Sequence, residues 1–211
     1  MVVMKSQSFD KLRIDPERSR MGQKSFTLIE LLVTVTIFSL IVGAASGVFV
    51  SALRAQRKSL SMQELLGQTS FLMEYMSRAL RMAKKDTTGT CVQPLGSTNY
   101  RNYEKTNSRV LNGTAYSGPG IRFLNYQGVC QEFFRDTVDL QLKESKNKAA
   151  PIALTSADLK VNFFNIGPED SWTQADDYQP RVTIFLEISG KEKSKINLQT
   201  TISQRNLDIE I

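Results

Sequence analysis

The sequence lacks histidine altogether and contains only two cysteines. The absence of histidine excludes every Ser-His-Asp or Cys-His nucleophile arrangement and every metal motif that needs an imidazole ligand. Two cysteines are too few for a cysteine-rich metal site. Serine, tyrosine and lysine are common in the chain, but no arrangement of them indicates an activated catalytic group. We therefore expect no enzymatic activity, no metal site and no cofactor.

Acidic residues are too few to balance the basic ones, since 27 Lys and Arg stand against 21 Asp and Glu, a formal net charge of +6. Half of this excess lies in residues 1–25, which hold six basic and three acidic residues. The rest of the chain carries a net charge of only +3. Such a small excess gives weak support to a nucleic-acid-binding surface. We expect no nucleic-acid partner and no small-molecule substrate.

Charged residues and proline are both missing from residues 31–53. As a helix, this run extends for roughly 34 Å, which is enough to cross a hydrocarbon core of about 30 Å. A long buried helix of a soluble domain is the alternative, but the basic residues that precede the run favour a membrane span with a cytoplasmic N-terminus. The run is too long for a cleaved secretory signal. We predict a single-pass protein of the cytoplasmic membrane, with its span at about residues 28–53.

Apolar residues continue at helical spacing beyond the membrane segment. Their spacing of three and four predicts one buried face of an amphipathic helix, formed by Leu65, Thr69, Leu72, Met76, Leu80 and Ala83. No proline lies between Pro16 and Pro94. We therefore predict a single helix over about residues 26–84. A separate second helix after a break at Gly67 is the alternative.

The sequence changes character after Asp86, where turn-forming residues separate short strand-like runs. We predict strands at residues 121–126, 129–134, 138–142, 159–166, 181–189 and 195–205. Residues 190–194 form a hairpin loop between the last two. Strands that follow one another without intervening helices favour an antiparallel sheet. The predicted fold is therefore α+β: a long N-terminal helix, its first half transmembrane, packed on an antiparallel β-sheet head at residues 86–211.

One acidic residue, Glu30, stands at the start of the apolar run. A carboxylate at membrane depth costs several kcal/mol unless it is paired, so Glu30 is a candidate functional residue. The alternative is an interfacial carboxylate that points to water. Lys24 is the nearest basic residue. A chain cut just before Phe26 would carry a new α-amino group one helical turn from Glu30.

This sequence resembles the N-terminal signature of type IV prepilins and type II secretion pseudopilins at residues 24–33, KSFTLIELLV. The resemblance implies that a prepilin peptidase and methyltransferase cuts between Ser25 and Phe26, removes residues 1–25 as a leader and methylates Phe26. It also implies that Glu30 pairs with the terminal amine of a neighbouring subunit during filament assembly. Residues 26–85 would then form the long N-terminal helix of the mature subunit.

Three features refine this resemblance. Ser25 stands where the family usually has glycine before the cut, and serine is also small. Gly47 stands where major pilins usually carry a helix proline, which favours a minor subunit. Translation from Met21 instead of Met1 would give a five-residue leader, and the sequence leaves both starts open.

The head is similar to those of J-type minor pseudopilins and W-type minor pilins, through Trp172, residues 180–183 and residues 198–206. The resemblance implies a minor pilin or pseudopilin that first lies in membrane lipid and then assembles with other pilin or pseudopilin subunits, in a pilus-like or type II secretion filament outside the cytoplasm. The alternative is a minor pilin whose head binds DNA or a secreted substrate.

Two pairs of residues are further candidates. Gly43 and Gly47 form a small-xxx-small pattern that would let another helix approach closely, although glycine is common in membrane helices in general. Cys91 and Cys130 lie in the head, where an oxidising environment would allow a disulfide, and two reduced thiols are the alternative. An acidic group at Glu169, Asp170, Asp176 and Asp177 lacks the spacing of a calcium-binding EF-hand loop and is expected to be a solvated loop.

Overall fold

The computed structural model describes residues 25–93, 101–172 and 179–205. The chain divides into two compact units, Met1–Val50 and Ser51–Ile211, so that the boundary falls inside the first helix. Residues 1–24 of the predicted leader, the acidic residues Asp176 and Asp177, and Asn206 lie outside the described residues.

A single helix, α1, runs from Leu28 to Arg81. Its bounds lie within three residues of those predicted from apolar spacing and from the absence of proline. The helix continues through Gly67, so the alternative of two separate helices is wrong. After α1 the chain turns, and the Lys84 N–H donates to the Leu124 carbonyl at 2.8 Å in an isolated β-bridge.

The second unit contains two antiparallel sheets. In chain order, the strands β1 to β8 have the bounds Tyr103–Leu111, Thr114–Leu124, Cys130–Arg135, Leu142–Lys146, Ile152–Ala153, Lys160–Gly167, Arg181–Ser189 and Lys195–Ser203. The larger sheet has the strand order β1-β2-β3-β4-β5, and the smaller has the order β6-β7-β8. Every pairing between neighbouring strands is antiparallel.

The C-terminal part of α1 and one face of each sheet enclose a common core. The predicted apolar face of the helix is confirmed, because all six of its residues are buried: Leu65, Thr69, Leu72, Met76, Leu80 and Ala83. Phe123, Phe133 and Trp172 are among the largest side chains that meet them. Burial of apolar area is the main stabilising contribution in such a core. The structure confirms the predicted α+β fold, with a long helix packed on antiparallel sheets.

The predicted strands of the smaller sheet are confirmed with small shifts, but the larger sheet differs from the prediction. The whole of β1, the start of β2 and the two-residue β5 escaped prediction. The strand predicted at residues 138–142 is wrong, since residues 137–139 form a turn and β4 begins only at Leu142. The missed strand β1 and most of β4 bury polar residues such as Arg109 and Glu144, so neither strand alternates apolar with polar residues. The false strand has the opposite cause, because residues 138–142 do alternate, but they include this turn and Leu140 has a φ of +60°.

The larger sheet buries an ion pair on the face opposite Phe133. The Arg109 Nε lies 2.7 Å from Glu132 Oε1, and the two side chains are only 1% and 5% exposed. Arg122 contacts the second carboxylate oxygen of Glu132 at 3.0 Å. The Arg109 guanidinium also lies 4.2 Å from the centre of the Phe134 ring. The buried carboxylate is therefore neutralised from both sides, which a charge in such a site requires.

Gly120 makes room for this arrangement. A Cβ atom at this position would lie 2.8 Å from Arg109 Nη2, from Phe134 Cβ and from Thr106 Oγ1. These distances are shorter than the contacts that Cβ atoms make with other heavy atoms in proteins. The sheet therefore requires glycine at the point where the guanidinium crosses β2.

We predict that Glu132→Gln lowers the free energy of unfolding by about 3–5 kcal/mol, because Arg109 would be left buried without a counter-charge. Glu74→Gln is the matched control. It breaks an exposed helical pair with Arg78 and should cost less than about 0.5 kcal/mol. Urea unfolding of the full chain in detergent, followed by the fluorescence of Trp172, measures both. Equal losses in the two variants would contradict the structural role of Glu132.

Candidate functional site

The start of α1 is fixed by a threonine cap. Residues 25–27 precede the helix, and the Thr27 carbonyl accepts hydrogen bonds from the N–H groups of Glu30 and Leu31 at 3.1 and 3.2 Å. The Thr27 side-chain Oγ1 also accepts the Glu30 N–H, at 3.3 Å. A threonine followed three residues later by glutamate has the spacing of a capping box, a signal that the sequence contains. The peptide bond between Ser25 and Phe26 therefore lies outside the helix.

Glu30 lies in the first turn of α1 and is exposed. Its carboxylate is next to the free N–H groups at the positive end of the helix dipole, which favours a negative charge at this position. Within residues 25–93, 101–172 and 179–205, no ion pair involves Glu30. The carboxylate is therefore exposed and without a cationic partner among the described residues.

The helix that follows Glu30 presents its apolar side chains outward. Every residue from 28 to 50 is exposed, including Leu28, Phe38 and Val48. The segment is long and apolar enough to cross a membrane, and none of its most apolar stretch is buried. A contiguous apolar surface of this size needs lipid or protein around it. These properties agree with a single membrane-spanning helix near the N-terminus.

The hydroxyl groups of this segment are satisfied by the helix itself. Thr34 and Thr36 donate to the carbonyls three residues before them, at 2.9 and 2.8 Å. Ser39 and Ser46 donate to the carbonyls four residues before them, at 2.8 and 2.7 Å. Such back-bonding removes the need for a polar partner in an apolar environment. Glu30 is then the one group in the described start of the helix whose charge still requires compensation.

The packing of Gly43 and Gly47 stays a prediction. The two glycines are four residues apart and share one side of α1. A Cβ atom at either position would meet nothing within 4 Å. No described part of the chain therefore requires glycine there, and the space is open to another helix.

A second arrangement of polar groups lies in the head, around the loop after α1. Cys91 and Cys130 are joined by a disulfide. Asp86 is buried and accepts hydrogen bonds from the backbone N–H groups of Thr88, Cys91 and Val92 at 3.0, 2.7 and 2.9 Å. The carboxylate thereby holds the loop that carries one end of the disulfide. Sequence reasoning missed Asp86, because nothing in its neighbours reveals that three backbone groups converge on it.

The acidic loop predicted to be solvated is described only in part, at Glu169 and Asp170. Glu169 and Asp170 are exposed. Across the described ranges, no three potential metal-ligating side chains cluster together. Nearby, Trp172 is buried, and its indole N–H donates to the Arg181 carbonyl at 2.7 Å. This hydrogen bond fixes the loop to the start of β7, and we call the buried Trp172 side chain with this bond the Trp172 anchor.

Comparison with known proteins identifies the N-terminal segment. Residues 20–46 match a family model described as the prokaryotic N-terminal methylation motif. The chain carries the methylation motif of prepilins. The matched segment contains the Ser25–Phe26 bond, the Thr27 cap and Glu30, and it indicates a pilin-like subunit that a prepilin peptidase processes. Searches of curated proteins and of solved structures found no match.

The charge of Asp86 should make the head more stable at neutral than at acidic pH. Burial by itself raises the pKa of the Asp86 carboxyl, but the hydrogen bonds from Val92, Cys91 and Thr88 outweigh it, and the pKa is lowered below its ordinary value of 3.8. A depressed folded-state pKa stabilises the fold above the unfolded-state pKa. This contribution is lost as the pH falls through the folded-state pKa.

We predict that Asp86→Asn destabilises the protein by about 2 kcal/mol at pH 7, because an amide would turn N–H groups toward the backbone donors of Cys91 and Val92. The difference from the parent protein should begin to shrink below about pH 4, where Asp86 of the unfolded chain becomes protonated, and should be lost as the pH falls through the lowered pKa of the folded state. Thermal unfolding at several pH values measures it, with the exposed Asp170→Asn as the control. A difference that is constant with pH would contradict the electrostatic role of Asp86.

Proposed function

We propose that the chain is a minor pilin or pseudopilin, made as a membrane-anchored precursor and then assembled into a type IV pilus-like or type II secretion filament. The methylation motif at residues 20–46 carries this proposal. The uncovered apolar helix behind Glu30 supports it, because such a surface suits first a bilayer and later a bundle of neighbouring helices. The subunit acts by assembly, and we propose no catalytic activity for it.

Processing would remove residues 1–25 at the bond between Ser25 and Phe26. The non-helical backbone of residues 25–27 supports this site, since a protease needs an extended segment in its active site. The product would begin at Phe26, which is 76% exposed. Methylation by the same prepilin peptidase and methyltransferase would leave a secondary amine that still carries a positive charge at neutral pH.

Glu30 would bind this amine in a neighbouring subunit. The carboxylate lies at the helix start without a partner among the described residues, and the new amine of another chain supplies a cation of matching size. In an apolar filament interior, loss of one member of such a pair costs on the order of 3–5 kcal/mol. Because the amine belongs to one subunit and the carboxylate to another, the pair would fix their axial register.

A J-type minor pseudopilin or a W-type minor pilin is the finer assignment that we propose. Gly47 in place of the helix proline supports a minor subunit, and the hairpin of β7 and β8 beside the Trp172 anchor supports a head of this kind. The subunit would lie in the cytoplasmic membrane with its head outside the cytoplasm, and its partners would be other pilins or pseudopilins.

We predict that protein purified from its native host begins at a methylated Phe26. Intact-mass measurement and N-terminal sequencing should both show loss of residues 1–25 and the addition of one methyl group. Ser25→Gly should be processed as the parent is, whereas Ser25→Leu should accumulate as precursor, because a bulky side chain would occupy the position next to the cut. A mature protein that retains residues before Phe26 would contradict the proposal.

We predict that Glu30→Gln and Glu30→Ala are cleaved normally but fail to enter filaments, because the neighbouring amine stays unpaired. The amounts of subunit in sheared filament and membrane fractions measure this loss. Glu64→Gln removes an exposed glutamate from the same helix and should assemble as the parent does. Normal incorporation of Glu30→Gln would refute the assembly role.

A further inference from the structure

The two sheets have four edge strands: β1 and β5 in the larger sheet, and β6 and β8 in the smaller. An edge strand exposes unpaired N–H and C=O groups, which are a template for pairing with another chain. Proteins therefore shorten, bend or cover edges that must stay single. The four edges of this head differ in whether they are protected.

Three of the edges are protected. The β1 ladder is interrupted by an irregularity between Thr106 and Ser108, and β5 consists of only two residues. The β6 ladder is also interrupted, between Val161 and Phe163. The outer groups of Val161 are occupied as well, because its N–H donates to Leu140 and its carbonyl accepts from the Arg135 Nε–H. Bulges, short length and covering bonds are the usual means of protecting an edge.

The fourth edge, β8, has none of these protections. Its nine residues pair with β7 in unbroken register from Lys195 to Ser203. The strand contains no proline, and its only charged residue, Lys195, is paired with Glu187 at 2.8 Å. No strand lies on the outer side of β8 in the part of the chain that the structure describes. The edge is therefore long, regular and neutral.

The register shows which backbone groups this edge offers. Hydrogen bonds from Gly190 N to Ser194 O and from Gln204 N to Pro180 O bracket the ladder, both at 2.9 Å. Hydrogen-bonded pairs recur at every second residue of an antiparallel ladder, so the even-numbered residues of β8 bond to β7. The odd-numbered residues Asn197, Gln199 and Thr201 therefore direct their N–H and C=O groups away from the sheet.

The core is also incomplete at β8. Ile188 and Leu186 on β7 are buried, with 1% and 2% of their surface exposed. Their partners on β8, Ile196 and Leu198, pack against the same core but stay only half-buried. A further strand would place side chains beside these two residues and complete their burial. The apolar layer therefore extends to the edge where the free backbone groups lie.

We propose that β8 binds an extended segment of another protein as a fourth strand of the smaller sheet. The segment is neutral, since β8 offers no free charge. It alternates apolar residues, which lie beside Ile196 and Leu198, with polar residues, which lie beside Asn197, Gln199 and Thr201. Main-chain hydrogen bonds supply affinity, and the alternation supplies specificity. This docking edge lies in the head and goes beyond the assembly function proposed for the N-terminal helix.

Hydrogen exchange followed by NMR on the full chain in detergent tests the proposal. In the free protein, the amides of Asn197, Gln199 and Thr201 should exchange at least about tenfold faster than those of Leu198 and Thr200, because only the latter are bonded to β7. The probe is a synthetic peptide as long as β8 that alternates valine and threonine. Saturation with this peptide should protect the three odd-numbered amides and leave the others unchanged.

Two controls separate strand pairing from other contacts. A peptide of the same sequence, N-methylated at every second residue, cannot form the ladder and should give no protection. Gln199→Pro removes one outward N–H and should weaken binding of the probe at least about tenfold, whereas Gln199→Ala keeps this N–H and should change it less than about twofold. Slow exchange of the Leu198 and Thr200 amides shows that Gln199→Pro remains folded. If Gln199→Pro does not fold, Thr201→Pro is used in its place.

Three results would overturn the proposal. The first is no protection at saturating peptide. The second is protection in the free protein that rises with protein concentration, which would assign the edge to a second copy of the chain. The third is protection at every concentration that disappears when residues 206–211 are deleted, which would assign the edge to the chain itself. All three leave the processing and assembly proposed for Phe26 and Glu30 untouched.

Discussion

The central constraint on this molecule is the negative charge of Glu30, which lies at the start of an exposed apolar helix. Thr27 caps the helix at the backbone N–H of Glu30, and the Glu30 carboxylate lies at the positive end of the helix dipole, but no described cation neutralises it. The apolar surface behind it excludes water from any assembly that buries the helix. A carboxylate in such surroundings accepts a partner of opposite charge and little else. The methylation motif lies on the same segment, and the partner that we propose for the carboxylate is the freed and methylated chain end of a neighbouring subunit.

The second unit meets the problem of buried polar groups in a different way. Its larger sheet encloses the charges of Arg109 and Glu132 within the same chain, where glycine at position 120 leaves room for the guanidinium. The loop after α1 is organised by one carboxylate, Asp86, that receives three backbone N–H groups. The buried carboxylates of Glu132 and Asp86 are therefore compensated within the head, whereas the described residues supply no counter-charge to Glu30.

Apolar periodicity explains which parts of the fold could be predicted. The buried helix face from Leu65 to Leu80 and the alternation in β7 and β8 are properties of neighbouring residues, and both predictions hold. By contrast, β1 and β4 bury Arg109 and Glu144, whose burial depends on partners in other elements of the fold. Asp86 differs, because its partners are backbone N–H groups of its own loop, and the loop conformation that brings them together leaves no pattern in the sequence. For Phe26 and Glu30, the sequence motif allowed prediction of the site, and the hydrogen bond from the Glu30 N–H to Thr27 shows that the capping spacing in the sequence forms a cap.

The serine and threonine hydroxyls of the apolar segment have a consequence for the transfer of the subunit between environments. Each of Thr34, Thr36, Ser39 and Ser46 already donates its hydrogen to the helix backbone. Extraction from lipid therefore breaks no hydrogen bond at these positions, and insertion among other helices needs to form none. The outer surface of the helix behaves as hydrocarbon in either place. In the assembly that we propose, these side chains therefore need no new polar partner on moving from lipid into a bundle of helices, and the pairing of Glu30 is the polar contact that the move would add.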